Sequence, residues 1–368
     1  MFDFAGIVGL GALIFTAGFA AVLAYRHFFG STPLSSVHKD YKHDHCKFDA
    51  DEVRHTAGQK QPRVDTSDLP PADPKVAAIL AAVQSSNIEK VLRDLSGEQN
   101  ITVGGQEHKI GTRNSYTSDL ELSMAYLEEF YAGLKLKSER HNYQVRGRKL
   151  ANLIVEFKGS VHPEKVLIVG AHLDSTAGDP WDSEDRAPGA DDDLSGTAAL
   201  MELAKALLHA VPGCTVRICH FTGEEQGLYG SKVYSDKVAD EKIEVIAMIE
   251  MDMIGYCKLP GNRVDVHDNA DQNGSHSLVE VMIRNVARYG LSLNVFDTHN
   301  HAVEGRSDHA GFLDHGFKAV LVSEEFTDEG FNPNYHSTGD RVSECNLPFA
   351  TDVTRMVLAA VIELAECK

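Results

Sequence analysis

No CxxC pair occurs anywhere in the 368 residues, and the six cysteines (Cys46, Cys214, Cys219, Cys257, Cys345 and Cys367) lie scattered. That pattern suggests neither a cysteine-built structural zinc site nor a disulfide scaffold, and treats the thiols as small, buried or inert apolar groups. Positive charge is scarce as well: 35 Lys and Arg stand against 54 Asp and Glu, a formal net charge of -19. Phosphate backbones would be repelled by such a field, so nucleic acid is set aside as a partner. Internal repeats are also lacking. What remains is ordinary for a globular enzyme-sized chain, with 43% hydrophobic and 24% charged residues, enough to bury a large core.

Charge is missing locally too. From Phe4 to Tyr25 the chain runs 22 residues without a charged side chain, long enough as a helix for the roughly 20 residues that a bilayer core needs. A cleaved secretory signal would have a basic start and a shorter apolar stretch, whereas the early side-chain charge here is Asp3. Residues 1–28 are therefore expected to be a retained membrane anchor, with a removed signal, and so a secreted or periplasmic domain, as the competing reading. Arg26, Lys39, Lys42 and Lys47 all follow the apolar segment, and by the positive-inside rule they would leave the remainder cytoplasmic. Residues 29–74 are polar, carry Pro70 and Pro71, and read as a linker. Its His38, His43, His45, Cys46 and His55 show no ligand spacing of a closed metal site and are taken as part of a solvated tether.

Residues 75–368 are expected to form one folded domain. Apolar residues at helical spacing run through 75–95 and again through 118–136. Beyond them come short apolar runs suited to strands buried on both faces, at 152–157, 166–171, 215–221, 245–251 and 318–322, with helical stretches at 197–210, 277–289 and 347–367. Strands alternating with helices predict an α/β fold, a three-layer sandwich around a mostly parallel, mixed central sheet.

Ligand sites in such sheets form at the carboxyl ends of the strands, and acidic and imidazole residues recur at those positions. The run 166–171 ends in His172-Leu-Asp174. Residues two apart in extended chain point the same way, so His172 is placed to ligate a metal, with Asp174 beside it to accept the other ring N–H. APGADDDLSG puts Asp191, Asp192 and Asp193 ahead of a helix starting near Leu194. One carboxylate or hydroxyl there, Asp193 or Ser195, is expected to cap the helix, but three adjacent acids exceed what capping needs and call for a cation. The run 215–221 leads into Glu224-Glu225, where neighbouring side chains diverge, so that one carboxylate binds metal and the other holds a water. Asp252 follows the next strand, and His336 sits in YHSTGD. Two imidazoles with several carboxylates suit borderline metals such as zinc.

The segments HLDS, APGADDDLSG, FTGEEQGLYGS, EMDMIGY, SDHAGF and YHSTGD, in this order over roughly residues 150 to 345, resemble those of the dinuclear zinc aminopeptidases of the M28 peptidase family. The resemblance implies two Zn2+ ions per chain bridged by Asp192, with His172 and Asp252 completing one site and Glu225 and His336 the other. Glu224 would be the general base and Asp174 would orient His172. Substrates would be peptides with a free N-terminus. One departure stands out, because such aminopeptidases often place a tyrosine shortly before the SDH segment to stabilise the oxyanion. No Tyr lies between Asn300 and Asp308, which leaves His301 or Arg306 as donor; Asp308 and His309 either shape the same pocket or support it. Competing readings on the same scaffold are a carboxypeptidase or dipeptidase, a glutaminyl-cyclase-like enzyme with one working zinc, and a metal-free receptor-like binding protein.

Overall fold

The computed structural model describes residues 65–182, 186–298, 303, 305–327 and 329–368. The expected anchor, most of the linker and its histidines lie outside them. Among the described residues, no helix is long and apolar enough to cross a membrane.

Helices α1 (Pro74–Ala81) and α2 (Ser85–Leu95) open the domain, followed by a small hairpin of β1 (Ile101–Val103) and β2 (Gln106–His108) and by α3 (Ser118–Gly133). Strands β3 (Ser138–Val145), β4 (Arg148–Phe157) and β5 (His162–His172) lead to α4 (Leu194–Leu207). Next come β6 (Cys214–Phe221), α5 (Tyr229–Asp240), β7 (Glu244–Met251), β8 (Arg263–His267) and α6 (His276–Tyr289). The chain ends with β9 (Asn294–Thr298), α7 (His309–Asp314), β10 (Ala319–Ser323) and α8 (Leu347–Leu364). Strands β3 to β10 form one eight-stranded sheet in the order β3-β4-β6-β5-β7-β10-β8-β9.

The sheet is mixed. Strands β6, β5, β7 and β10 are mutually parallel, whereas β4 and β8 run against them. Alternation along the central strands feeds two cores. Leu167, Val169 and Ala171 of β5 face a large cluster that includes α4 and α8, while Val166 and Ile168 face a smaller one with Tyr234 of α5 and Phe312 of α7. That is why these strands read as unbroken apolar runs.

The strands that the hydrophobic pattern overlooks are those at the margins. β3 reads SERHNYQV and buries alternate residues, as a strand at the sheet edge does, and β8 and β9 are five residues each. The helical run 75–95 is broken between α1 and α2 by tertiary contacts. Glu202 of α4 accepts the Gln84 N–H at 3.0 Å, and Arg355 of α8 donates to the carbonyls of Leu80 (3.2 Å) and Val83 (3.0 Å). Those partners are more than a hundred residues away in sequence, so no local signal announces the break.

Leu200, with no solvent exposure, sits mid-helix in α4 against the large cluster. Leu200→Ala is expected to destabilise the domain by about 3 kcal/mol through lost burial and a residual cavity, measured as a lower urea midpoint with an unchanged slope.

Candidate metal centre

His172, Asp174, Asp192, Glu224, Glu225, Asp252 and His336 lie at one edge of the sheet, where the four parallel strands end. His172 is the last residue of β5, Glu224 and Glu225 follow β6, and Asp252 follows β7, where its N–H bonds the Val322 carbonyl of β10 at 3.1 Å. Asp192 precedes α4. His336 lies in the loop between β10 and α8 with a left-handed φ of 49°, a conformation that only surrounding contacts sustain in a non-glycine residue.

These side chains converge into two groups that share one carboxylate. Asp192 Oδ1 lies 3.1 Å from His172 Nε2, which is 3.5 Å from Asp252 Oδ1. Asp192 Oδ2 lies 3.2 Å from His336 Nε2, which is 2.9 Å from Glu225 Oε2. Within each group the ligand atoms fall within 4.8 Å of one another. His172 Nε2, Glu225 Oε1 and Asp252 Oδ1 are buried without a hydrogen-bond partner. Orphaned polar atoms of this kind, gathered from three separate segments, are what a cation completes.

Electrostatics says the same. Burial pushes Glu225 up to about 7, against the opposing pull of His336. His336 is pushed up to about 10 although burial disfavours its charge, because Glu225 and Asp192 favour it. Burial would raise Asp192, yet the His172 and His336 imidazoles outweigh it and hold this carboxyl well below its usual range.

Asp193, not Ser195, caps α4 by accepting the Gly196 N–H at 2.9 Å, and its other oxygen accepts the His172 N–H at 3.1 Å. Asp174 behaves differently from the expectation. The His172 Nδ1 partner is the Asp174 backbone carbonyl at 3.0 Å, whereas the Asp174 carboxylate is 3.8 Å away. That carboxylate instead accepts the N–H groups of Glu224 and Glu225, each at 3.3 Å, and the Ser115 hydroxyl at 3.1 Å. Orienting His172 therefore falls to the main chain, and the Asp174 side chain positions the Glu224-Glu225 pair. Asp308 and His309 start α7 and are buried behind the pocket, while Arg306 and Ser307 line it, Ser307 donating to Asp252 Oδ2 at 2.8 Å. His301 lies outside the described residues.

One contributor, Arg113, carries no sequence signal of its own, while others sit in or beside the YHSTGD segment. Arg113 is fully buried and donates to the carbonyls of Leu173 (2.8 Å), Leu95 (3.2 Å), Pro188 (2.6 Å) and Gly189 (2.9 Å). Burial pulls its guanidinium down to about 10, and the carboxylates of Asp340, Asp174, Asp192 and Asp193 hold it charged. Asp340 accepts the N–H groups of Asp191 and Asp192, each at 3.0 Å, and Asn332 donates to Asp191 at 2.8 Å. Together these bonds tie the His336 loop to the loop that carries Asp192. Beside the ligands the pocket is lined by Met253, Val303, Leu321, Phe326 and Tyr335, and the Tyr335 ring stacks on His336 at 3.7 Å between centroids, 19° from parallel.

The sequence model of Peptidase family M28 matches residues 152–361, more than half of the chain and all five clustered residues. This chain belongs to peptidase family M28. Its relatives include a probable zinc metalloprotease of Pyrenophora tritici-repentis, 28% identical over 59% of this chain and 57% of the relative. Another is a probable aminopeptidase of Saccharomyces cerevisiae, 32% identical over 59% of this chain and 58% of that one. The chain spans about half the length of the curated relatives it matches. The M28 fold is also seen in the LapA aminopeptidase of Legionella pneumophila (TM-score 0.65, 21% identity, 83% of this chain and 78% of that one). A glutaminyl cyclase of Fimbriiglobus ruber shares it as well (TM-score 0.61, 19% identity, 82% of this chain and 99% of that one).

Because Asp340 holds the backbone on which Asp192 sits, Asp340→Ala is expected to weaken zinc binding about 10- to 100-fold while leaving every ligand in place. Competition against a chromophoric chelator measures the change, and unchanged affinity would show that Asp340 serves folding alone.

Proposed function

We propose that this M28 member is a zinc-dependent aminopeptidase with two ions per chain, and that the pairing of both imidazoles to the two oxygens of Asp192 is the observation that carries the reading. One ion would be held by His172, Asp192 and Asp252, the other by Asp192, Glu225 and His336. Bound zinc would lower the pKa of water towards about 7 and polarise the scissile carbonyl.

The protein's own residues supply the rest. Glu224 lines the pocket beside the ligands without belonging to either ligand group. Its main-chain N–H is fixed by Asp174. A carboxylate so placed takes the proton of the attacking water and passes it to the leaving nitrogen. Tyr335 keeps its hydroxyl proton, because burial and the nearby carboxylates of Asp192, Glu225, Glu224 and Asp252 all oppose ionisation. We assign it, ahead of Arg306, as the donor to the developing oxyanion, in place of the tyrosine missing before Asp308. The apolar wall of Met253, Val303, Leu321 and Phe326 suits an apolar N-terminal side chain.

Fold likeness to glutaminyl cyclases does not separate that chemistry from peptidolysis. Retention of both ligand groups favours the two-ion enzyme, and metal analysis of the full chain tests it, with about two zinc per chain expected against one for a cyclase-like site.

Hydrolysis of aminoacyl-p-nitroanilides is expected to be lost with chelator and restored by zinc, with leucyl substrates preferred and N-acetylated ones refused. Refusal of every free-amine substrate by zinc-loaded protein would point to the carboxypeptidase, dipeptidase or cyclase-like readings. Glu224→Gln should keep the metal and lose roughly 10²–10⁴-fold in kcat, whereas Asp192→Ala should lose metal together with activity. For Tyr335→Phe a fall of about 10²-fold in kcat at constant zinc content is expected; wild-type turnover would reassign the oxyanion donor.

A further inference from the structure

The turn between β3 and β4 is placed to take part in substrate binding. β3 pairs antiparallel with β4, and β4 antiparallel with β6, so β3 runs in the direction of β6 and its turn emerges at the edge of the sheet that carries the metal centre. Val145 pairs with Arg148 in register, which makes Arg146-Gly147 a two-residue turn with φ of 46° and 78°. Positive φ at both positions is the geometry that matches strand twist, and it projects Arg146 and Arg148 from the tip. Both are exposed.

Neither arginine points idly into solvent. The Arg146 guanidinium stacks on Trp181 at 3.5 Å from the ring centroid, and that of Arg148 on Tyr116 at 4.1 Å. Arg148 also donates to the Tyr116 carbonyl at 3.0 Å. Trp181 in turn packs against Tyr116 (5.9 Å) and Tyr229 (6.1 Å). This wall adjoins Glu224. Tyr116 follows Ser115, whose hydroxyl accepts the Gly223 N–H at 3.1 Å, and Tyr229 donates its N–H to the Gly223 carbonyl at 2.9 Å. A general base stands on the side of the leaving nitrogen that it protonates. The surface beyond Glu224 therefore faces the leaving-group half of the substrate, away from the apolar pocket of Met253 and Phe326. Arg146 and Arg148 place two cations here on a chain with a net charge of -19.

Resting on the aminopeptidase reading, we propose that Arg146 and Arg148 bind a carboxylate on the residue that follows the scissile bond, so that the preferred substrates are short peptides ending there or peptides with an acidic residue there. Stacking uses the guanidinium faces and orients the planar donors, which suits bidentate contact with a carboxylate.

The test compares kcat/KM for Leu-Gly with Leu-Gly-amide, and for Leu-Asp-amide with Leu-Asn-amide, on the zinc-loaded full chain. A preference of about tenfold for the anionic member of at least one pair is expected. The pair that shows it identifies the source as the terminal or the side-chain carboxylate. In R146Q/R148Q the ratio should fall to near one, the neutral partner correcting for any general damage. If that variant fails to fold, the wild-type ratio should still shrink between 50 mM and 500 mM salt, as an exposed charge contact does. Ratios near one in both wild-type pairs, or a ratio that survives R146Q/R148Q, overturn the proposal.

Calorimetric affinity of Glu224→Gln for Leu-Gly against Leu-Gly-amide needs no turnover. The emission of Trp181, the chain's one tryptophan, reports whether the wall is touched. A tighter acid with altered emission supports the wall even if the absence of wild-type hydrolysis sinks the aminopeptidase reading, and equal affinities count against it.

Discussion

Crowded carboxylates at the ends of parallel strands are the constraint around which this domain is organised. Asp174, Asp191, Asp192, Asp193, Glu225, Glu324 and Asp340 are all buried, and an unpaired buried charge is among the costliest things a protein can contain. Three kinds of compensation are visible. Main-chain N–H groups point at Asp174, Asp191, Asp193 and Asp340. Arg113 lies fully buried nearby, its charge favoured by four of the acids. Among the buried oxygens left without a hydrogen-bond partner are Glu225 Oε1 and Asp252 Oδ1, on the residues that face His336 and His172. Glu250 and Asp308 are likewise buried with both carboxyl oxygens unpartnered, and burial raises the pKa of both.

The two ligand groups differ in how they are held. His172 and Asp252 sit directly at the ends of paired strands, so the sheet fixes them through backbone hydrogen bonds. His336 is carried by a loop, in a left-handed backbone conformation, and its position depends on Asp340, Asn332 and the stacked Tyr335 ring. Asp192 joins the two halves, because its carboxylate touches the strand-borne imidazole with one oxygen and the loop-borne one with the other. The loop after β10 is thus part of the centre as much as the strands are, although nothing in its hydrophobic pattern marks it.

That difference explains what was legible in the sequence. Central strands read as apolar runs because both faces are buried, and His172, the Glu224-Glu225 pair and Asp252 stand out as charged groups at strand ends and the acid triplet as more than capping needs, whereas choosing Asp192 and Glu225 and adding His336 rests on the resemblance to the M28 motifs. Edge strand β3 hid behind one polar face, and the break between α1 and α2 hid because Glu202 and Arg355 impose it from afar. Arg113 is silent for a related reason: a single Arg in a loop has no periodicity, and its burial appears only once distant loops close over it, whereas Asp340 stands in the YHSTGD segment and only its bonds to Asp191 and Asp192 are hidden. Asp174 shows a subtler limit. Its place beside His172 followed from strand geometry, but which of its atoms meets the imidazole depends on Glu224 and Glu225, fifty residues on, competing for its carboxylate.

The pocket divides its chemistry by location, and the topology accounts for the division. On the side of β7 and β10 the clustered residues border Met253, Leu321 and Phe326, an apolar surface at the sheet edge. On the side of β6 and β4 they border turns and loops, where an antiparallel hairpin exposes polar side chains, and Arg146 and Arg148 stack there on Trp181 and Tyr116. Glu224 stands at the boundary. On the proposed aminopeptidase reading, a peptide laid across it would place its N-terminal side chain in the apolar half and its remaining length along the cationic one, a polarity that the run of the strands would set.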